Sequence, residues 1–205
     1  MLKRLSRALR STLRSRRSAA RARRLAAERP CLKLEYGAGP KRGTGEWVTL
    51  DLCKGADLCW DISRGLPFPD ASLDAVYSSH THEHFDTWEN QALLRECFRV
   101  LKPGGTFYAV VPDASIYIRA YVSGEGIDLD RLYKPGLNYH TPIDLVNYMA
   151  YLGGQHRHLF DEENFIALLA EAGFEGPRKR DFDPALDLEK RKWESLHVQA
   201  TKPSR

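Results

Sequence analysis

Past Pro30 the chain alternates short apolar runs with helix-period segments, and that alternation leaves few folds open to it. Runs bounded by Gly, Pro and Asp read as strands at residues 32–36, 47–52, 74–78 and 106–111. A helical segment over 88–101 puts Leu93, Leu94, Cys97, Val100 and Leu101 on one face and stops at Lys102-Pro103-Gly104-Gly105. A second, over 161–172, has Asp161 to cap it, Phe160 to staple against Phe165 and Gly173 to end it. An extended run at 57–60 and two closing strands near 178–182 and 195–201 bring the expected sheet to seven strands. Strands separated by helices pair in parallel, so the fold class is α/β with a mostly parallel sheet. The first pair breaks the pattern. Only about ten residues separate the strands at 32–36 and 47–52, whereas a parallel crossover normally takes a dozen or more, usually as a helix. The first helix must therefore be reduced to a loop.

At 205 residues and 42% apolar content the chain can bury one domain's core plus an appendage. Its longest apolar stretch, residues 165–170, is far short of the roughly 20 residues that span a bilayer, and no apolar signal segment opens the chain. Cys31, Cys53, Cys59 and Cys97 form no CxxC pair, which argues against a zinc knuckle and fits reduced thiols in a cytoplasmic protein. Charge divides the chain. Residues 1–29 hold 11 Lys/Arg against Glu28 alone, while residues 30–205 hold 20 Lys/Arg against 26 Asp/Glu. The basic leader, residues 1–29, carries Leu2, Leu5, Leu9 and Leu13 on one helical stripe. It suits an anionic membrane surface at the inner face of the membrane, or a solvated extension, better than nucleic acid or a transit peptide. The body, 30–205, forms the main domain. Within it residues 114–158 read as irregular, rich in Tyr, Gly and His and too long for a plain connection, hence as a functional insertion.

Chemistry-bearing residues cluster at strand ends. The strand ending at Glu35 runs into Gly37 and Gly39, which let the backbone turn beside a nucleoside-type ligand without Cβ atoms in the way. The Glu35 carboxylate can meet a ligand's ammonium group. Asp51, at the tip of the next strand and followed by Leu52, is placed to accept from ribose hydroxyls. Asp61 can accept from an adenine amino group while Ile62 flanks the ring.

Taken in order, LEYGAGP, VTLDL, WDI, LPFPDASLDAVYSSHTHEH and LLRECFRVLKPGGTFYAVVPD resemble the motifs of class I S-adenosylmethionine-dependent methyltransferases, in particular a branch of small bacterial members. The resemblance is close over residues 31–113 and looser over HRHLFDEENFIALLAEAGF. It implies a Rossmann-like sandwich and S-adenosyl-L-methionine as cofactor. Glu35, Gly37 and Gly39 would lie around the methionine moiety and Asp51 on the ribose. Asp61 and Ile62 would lie on the adenine, with Ser79 and His80 beside the sulfonium. The family's third glycine is missing, with Lys41 in its place.

His80, His82, Glu83 and His84 follow the third long strand, where the reacting methyl group is expected. An imidazole there can take a proton from an acceptor hydroxyl, since its pKa lies near working pH. A metal is the less favoured reading. The spacing His80-x-x-Glu83-His84 is similar to the Glu-x-x-Glu-His pattern of small-RNA 2′-O-methyltransferases, with His140, His156 or His158 to complete the set. Tyr117, Tyr121, Tyr133, Tyr139, Tyr148 and Tyr151 of the insertion offer aromatic faces suited to a sugar, or else form a small core of their own. The expected activity is O-methylation of a small-molecule, carbohydrate or glycolipid hydroxyl, with RNA as the alternative acceptor.

Overall fold

The computed structural model describes residues 2–132, 137 and 139–204, with side chains from residue 13 onward. Tyr133 and the side chains of Leu2, Leu5 and Leu9 lie outside the described residues. The chain opens with α1 (Leu2–Glu28), followed by β1 (Lys33–Tyr36), β2 (Trp47–Asp51) and β3 (Leu58–Cys59). Next come β4 (Leu73–Ser79), α2 (Thr87–Val100), β5 (Leu101–Pro112), α3 (Ala114–Ser123), α4 (Ile143–Tyr151) and α5 (Glu162–Glu171). Two strands, β6 (Glu175–Lys179) and β7 (Ser195–Thr201), close it. They form one seven-stranded sheet in the order β3-β2-β1-β4-β5-β7-β6. β1 to β5 pair in parallel, and β7 runs antiparallel to both β5 and β6.

One core covers one face of the sheet. Leu34, Tyr36, Val48, Leu50, Val76, Phe107, Ala109 and Val198 meet Leu93, Leu94 and Cys97 of α2, Phe165 and Leu169 of α5, and Ala22 and Leu25 of α1. The intervening strand residues turn to the other face. There loops stand in for the missing first helix. Asp57 pins the 37–46 loop by accepting from Gly43 N (2.8 Å) and from the Thr49 backbone N (3.2 Å) and hydroxyl (3.1 Å). Asp187 accepts from Tyr77 OH (3.2 Å) and from both terminal nitrogens of the Arg180 guanidinium (2.6 and 2.7 Å).

Two expectations change. The stretch over 114–158 is not irregular: Asp113 caps α3 through Ser115 N (3.0 Å), Gly124 ends it in the left-handed region, and α4 packs back on it. Tyr117, Leu145 and Met149 form its small core. Nor is residue 29 a clean break. Ser18, Ala22 and Leu25 are buried, and Ser18 Oγ accepts from Cys59 N (3.1 Å). Removing residues 1–29 should therefore lower the thermal unfolding midpoint sharply, because one buried Leu alone is worth about 2–5 kcal/mol. A midpoint unchanged from the full chain would show that α1 adds nothing to the core.

Candidate active site

Register brings the strand-end residues level. Tyr36 pairs with Leu50 on one side and with Ser78 on the other. The next residue of each strand, Gly37, Asp51 and Ser79, therefore lies at one edge. The chain reverses direction across the sheet between β1 and β4, the topological switch point where open α/β sheets bind ligands. Asp51 also pairs with Cys59, so Asp61 follows at the same edge.

Local geometry explains the residue types. Gly37 has φ +67°, and a Cβ there would lie 2.0 Å from Thr81 Oγ1, so the β1 turn and the β4 turn touch only because position 37 lacks a side chain. Asp51 accepts from Gly39 N (2.9 Å) and Cys53 N (2.8 Å), which shapes the turn and leaves each oxygen further lone pairs. Leu52 beside it is 70% exposed, an apolar surface next to a carboxylate. Glu35 is held by Lys41 Nζ at 2.8 Å, so the residue in place of the third glycine supplies an ammonium to this carboxylate. Asp61 accepts from Ser63 N (3.1 Å) and Ser63 Oγ (2.7 Å) and caps a short 3-10 turn. Ile62 lines a recess of about 130 Å³ with Phe85 and Leu93.

The histidine run does not act as one group, because the 3-10 turn His82–His84 sends its side chains different ways. His82, grouped in the sequence with the candidate bases, is a core residue. It is 0% exposed, with Nε2 2.6 Å from Tyr36 OH and Nδ1 2.8 Å from Asn90 Oδ1, and burial pulls its pKa down to about 4. It neither reaches a ligand nor charges near neutral pH. His80 has φ +50°, and both its ring nitrogens are engaged, Nε2 with Ser195 Oγ (2.8 Å) and Nδ1 beside Glu83 Oε1 (3.3 Å). Burial would raise the Glu83 pKa, but the hydrogen bond and charge of His80 outweigh it and hold the carboxyl below its usual range.

Glu83 and His84 face a cavity of about 300 Å³, lined also by His80, Tyr148, Met149, Gln155 and His156. Of the downstream histidines, His156 joins this wall. His140 is exposed on α4's approach, and His158 bridges Thr87 and Asn164. Of the insertion's tyrosines, only Tyr148 among the described residues lines this cavity; Tyr117 is core, and Tyr121, Tyr139 and Tyr151 are exposed. Sequence reasoning missed Tyr36, Thr81, Asn90 and Ser195, the residues that hold the run in place. Tyr36 and Ser195 act from strands far from the run in sequence, a reach that no local pattern encodes.

A family model described as a methyltransferase domain matches residues 34–109. A probable S-adenosylmethionine-dependent methyltransferase of Mycolicibacterium smegmatis is 46% identical over 57 residues, 26% of this chain and 21% of that protein. One of Mycobacterium tuberculosis is 28% identical over 118 residues, 58% of this chain and 36% of that protein. The chain thus matches well under half the length of these relatives. A Thermotoga maritima structure described as a possible histamine N-methyltransferase has a TM-score of 0.55 at 17% identity, covering 97% of this chain and 96% of that one. A Burkholderia thailandensis 1,6-didemethyltoxoflavin-N1-methyltransferase, solved with its acceptor and S-adenosylhomocysteine, has a TM-score of 0.52 at 16% identity, over 93% and 78%.

Proposed function

Because this chain belongs to the class I S-adenosylmethionine-dependent methyltransferases, we propose that it transfers the methyl group of S-adenosylmethionine to a hydroxyl of a small-molecule acceptor, in particular a carbohydrate or glycolipid. The observation that carries this reading is the level edge of Gly37, Asp51 and Ser79 with the histidine- and glutamate-lined cavity just beyond it. In this reading Glu35, Gly37 and Gly39 hold the methionine end of the donor, and Asp51 takes the ribose hydroxyls. Leu52, Asp61 and Ile62 meet the adenine, and Ser79 and His80 border the sulfonium. The bare turn at Gly37 and the exposed Leu52 fit such a ligand. The donor's ammonium would share Glu35 with Lys41.

The reaction forms a C–O bond as the methyl C–S bond breaks, and the acceptor's proton leaves to a base. Alignment of the two reactants supplies most of the rate. His84, with a ring nitrogen open to the cavity, and Glu83 are the proton-accepting groups; His80 is a positioning residue. The solved neighbours are described with small-molecule acceptors, 1,6-didemethyltoxoflavin in one and, as a possible activity, histamine in the other, which supports a small-molecule acceptor here. RNA fits less well because residues 30–205 carry an excess of acidic groups. Label from methyl-labelled donor should appear as an alkali-stable ether on saccharides or glycolipids. Label only on amines or RNA would overturn the proposed acceptor.

No helix among the described residues is long and apolar enough to cross a membrane. Exposed Arg14, Arg16 and Arg17 of α1 nevertheless suit an anionic surface. Replacing all three with Gln should abolish sedimentation with anionic vesicles, and undiminished sedimentation would sink that role.

A further inference from the structure

We propose that Glu83, His84 and His156 form a binding site for a first-row divalent transition ion of the zinc class. Among the described residues these three each offer a ligand atom within 4.8 Å of the other two. An ion about 2.0–2.1 Å from each needs donors roughly 3.3 Å apart, a closure that small side-chain rotations supply.

Hydrogen bonding has already sorted the donor atoms. His84 Nδ1 lies 3.0 Å from Gln155 O, and His156 Nδ1 lies 2.7 Å from Met149 O. A carbonyl only accepts, so both imidazoles carry their proton on Nδ1 and keep a lone pair on Nε2. That backbone-anchored arrangement is how metal-binding histidines are oriented. Glu83 is 2% exposed, and while Oε1 faces His80, Oε2 is buried with no hydrogen-bond partner among the described residues. An orphaned carboxylate oxygen in a protein interior is costly unless something binds it. Oε1 is also the oxygen nearest His84, 4.0 Å from its Nε2, so a cation between His84 and His156 would neutralise this buried carboxylate.

The frame holding the three residues is rigid. Glu83 O accepts from Arg157 N (2.7 Å) and His158 N (3.3 Å), so the loop that carries His156 is tied to the turn that carries Glu83 and His84. The Arg157 guanidinium locks it further onto Asp86 (2.7 Å) and Glu89 (2.6 Å) at the start of α2. Two imidazoles and one carboxylate suit zinc, iron or nickel better than magnesium or calcium. Three protein ligands leave coordination positions open, and the cavity lies in front of them. If the methyl-transfer reading holds, an acceptor hydroxyl bound at such a position would become more acidic and lose its proton to solvent in the cavity, with Glu83 and His84 acting as ligands instead of free bases. The sequence favoured the free base; the geometry favours the ion.

Full-length protein stripped with chelator should be titrated with Zn²⁺ by calorimetry and with Co²⁺ by visible absorption. One ion per chain is expected. His84→Ala and His156→Ala should each weaken binding at least about 100-fold, the upper end of what losing a mere orienting partner costs. His140→Ala, at an exposed histidine outside the cluster, should bind as the parent does. His84 is partly exposed, so its variant decides the matter if His156→Ala does not fold. No ion bound by the parent, or binding unaffected by His84→Ala, would overturn the site. S-adenosylhomocysteine binding, measured on the same samples, reports separately on the methyltransferase reading.

Discussion

His82→Ala should destabilise the protein by about 4 kcal/mol or more, the largest stability loss expected from any change in the 80–84 run. The imidazole is fully buried, with edge-on ring contacts to Tyr36, Phe107 and Phe165. Truncation leaves a cavity costing about 2–5 kcal/mol; it also strands Asn90 Oδ1 and takes away the acceptor of the Tyr36 hydroxyl proton, leaving that hydroxyl the weak bond from Cys97 Sγ (3.6 Å), and each buried polar group so affected adds about 1–3 kcal/mol before relaxation. Denaturant unfolding would measure the loss, and a change under 1 kcal/mol would refute the core assignment. The same burial makes stability depend on pH. With a folded pKa of about 4 against 6.5 for the free side chain, the unfolded chain binds the extra proton between those values. Stability is therefore full above about pH 6.5 and falls by about 1.4 kcal/mol per unit as pH drops toward 4, roughly 3 kcal/mol in all. His82→Gln should flatten that acid limb by about one proton, whatever its effect at neutral pH.

Asp51→Ala should weaken S-adenosylhomocysteine binding by about 10- to 150-fold, the equivalent of a charge-assisted hydrogen bond worth 1.5–3 kcal/mol. The carboxylate serves twice, as the proposed ribose acceptor and as the acceptor for Gly39 N and Cys53 N. Asp51→Asn retains one carbonyl oxygen and should fall between the two. Calorimetry on both variants, with unfolding curves as a control, separates lost contact from lost shape. Unchanged affinity in Asp51→Ala would mean that the ribose does not lie at the tip of β2.

What was legible in the sequence follows from which forces are local. The sheet showed because apolar period and turn residues are local, and the reduced first helix showed because ten residues cannot hold a crossover helix. Gly37 showed as a bare turn, although its reason, the Thr81 hydroxyl lying against it, is tertiary. The helix α3 was readable too: Asp113, an apolar face and Gly124 make a capped helix that the abundance of Tyr and Gly nearby concealed. His82 was not. Four titratable side chains in five residues look like one constellation until a 3-10 turn points one of them into the core, where Tyr36 and Asn90 wait. Which of His140, His156 and His158 lies beside Glu83 depends on a loop tied to it across more than seventy residues, and no spacing rule reports that.

Calorimetric titration of the full-length chain with S-adenosylhomocysteine tests most directly whether the edge formed by Gly37, Asp51 and Ser79 holds S-adenosylmethionine, as proposed. One saturable site per chain, sharply weakened in Asp51→Ala, is the expected result. No heat of binding from a folded chain, or an isotherm indifferent to Asp51→Ala, would contradict the account.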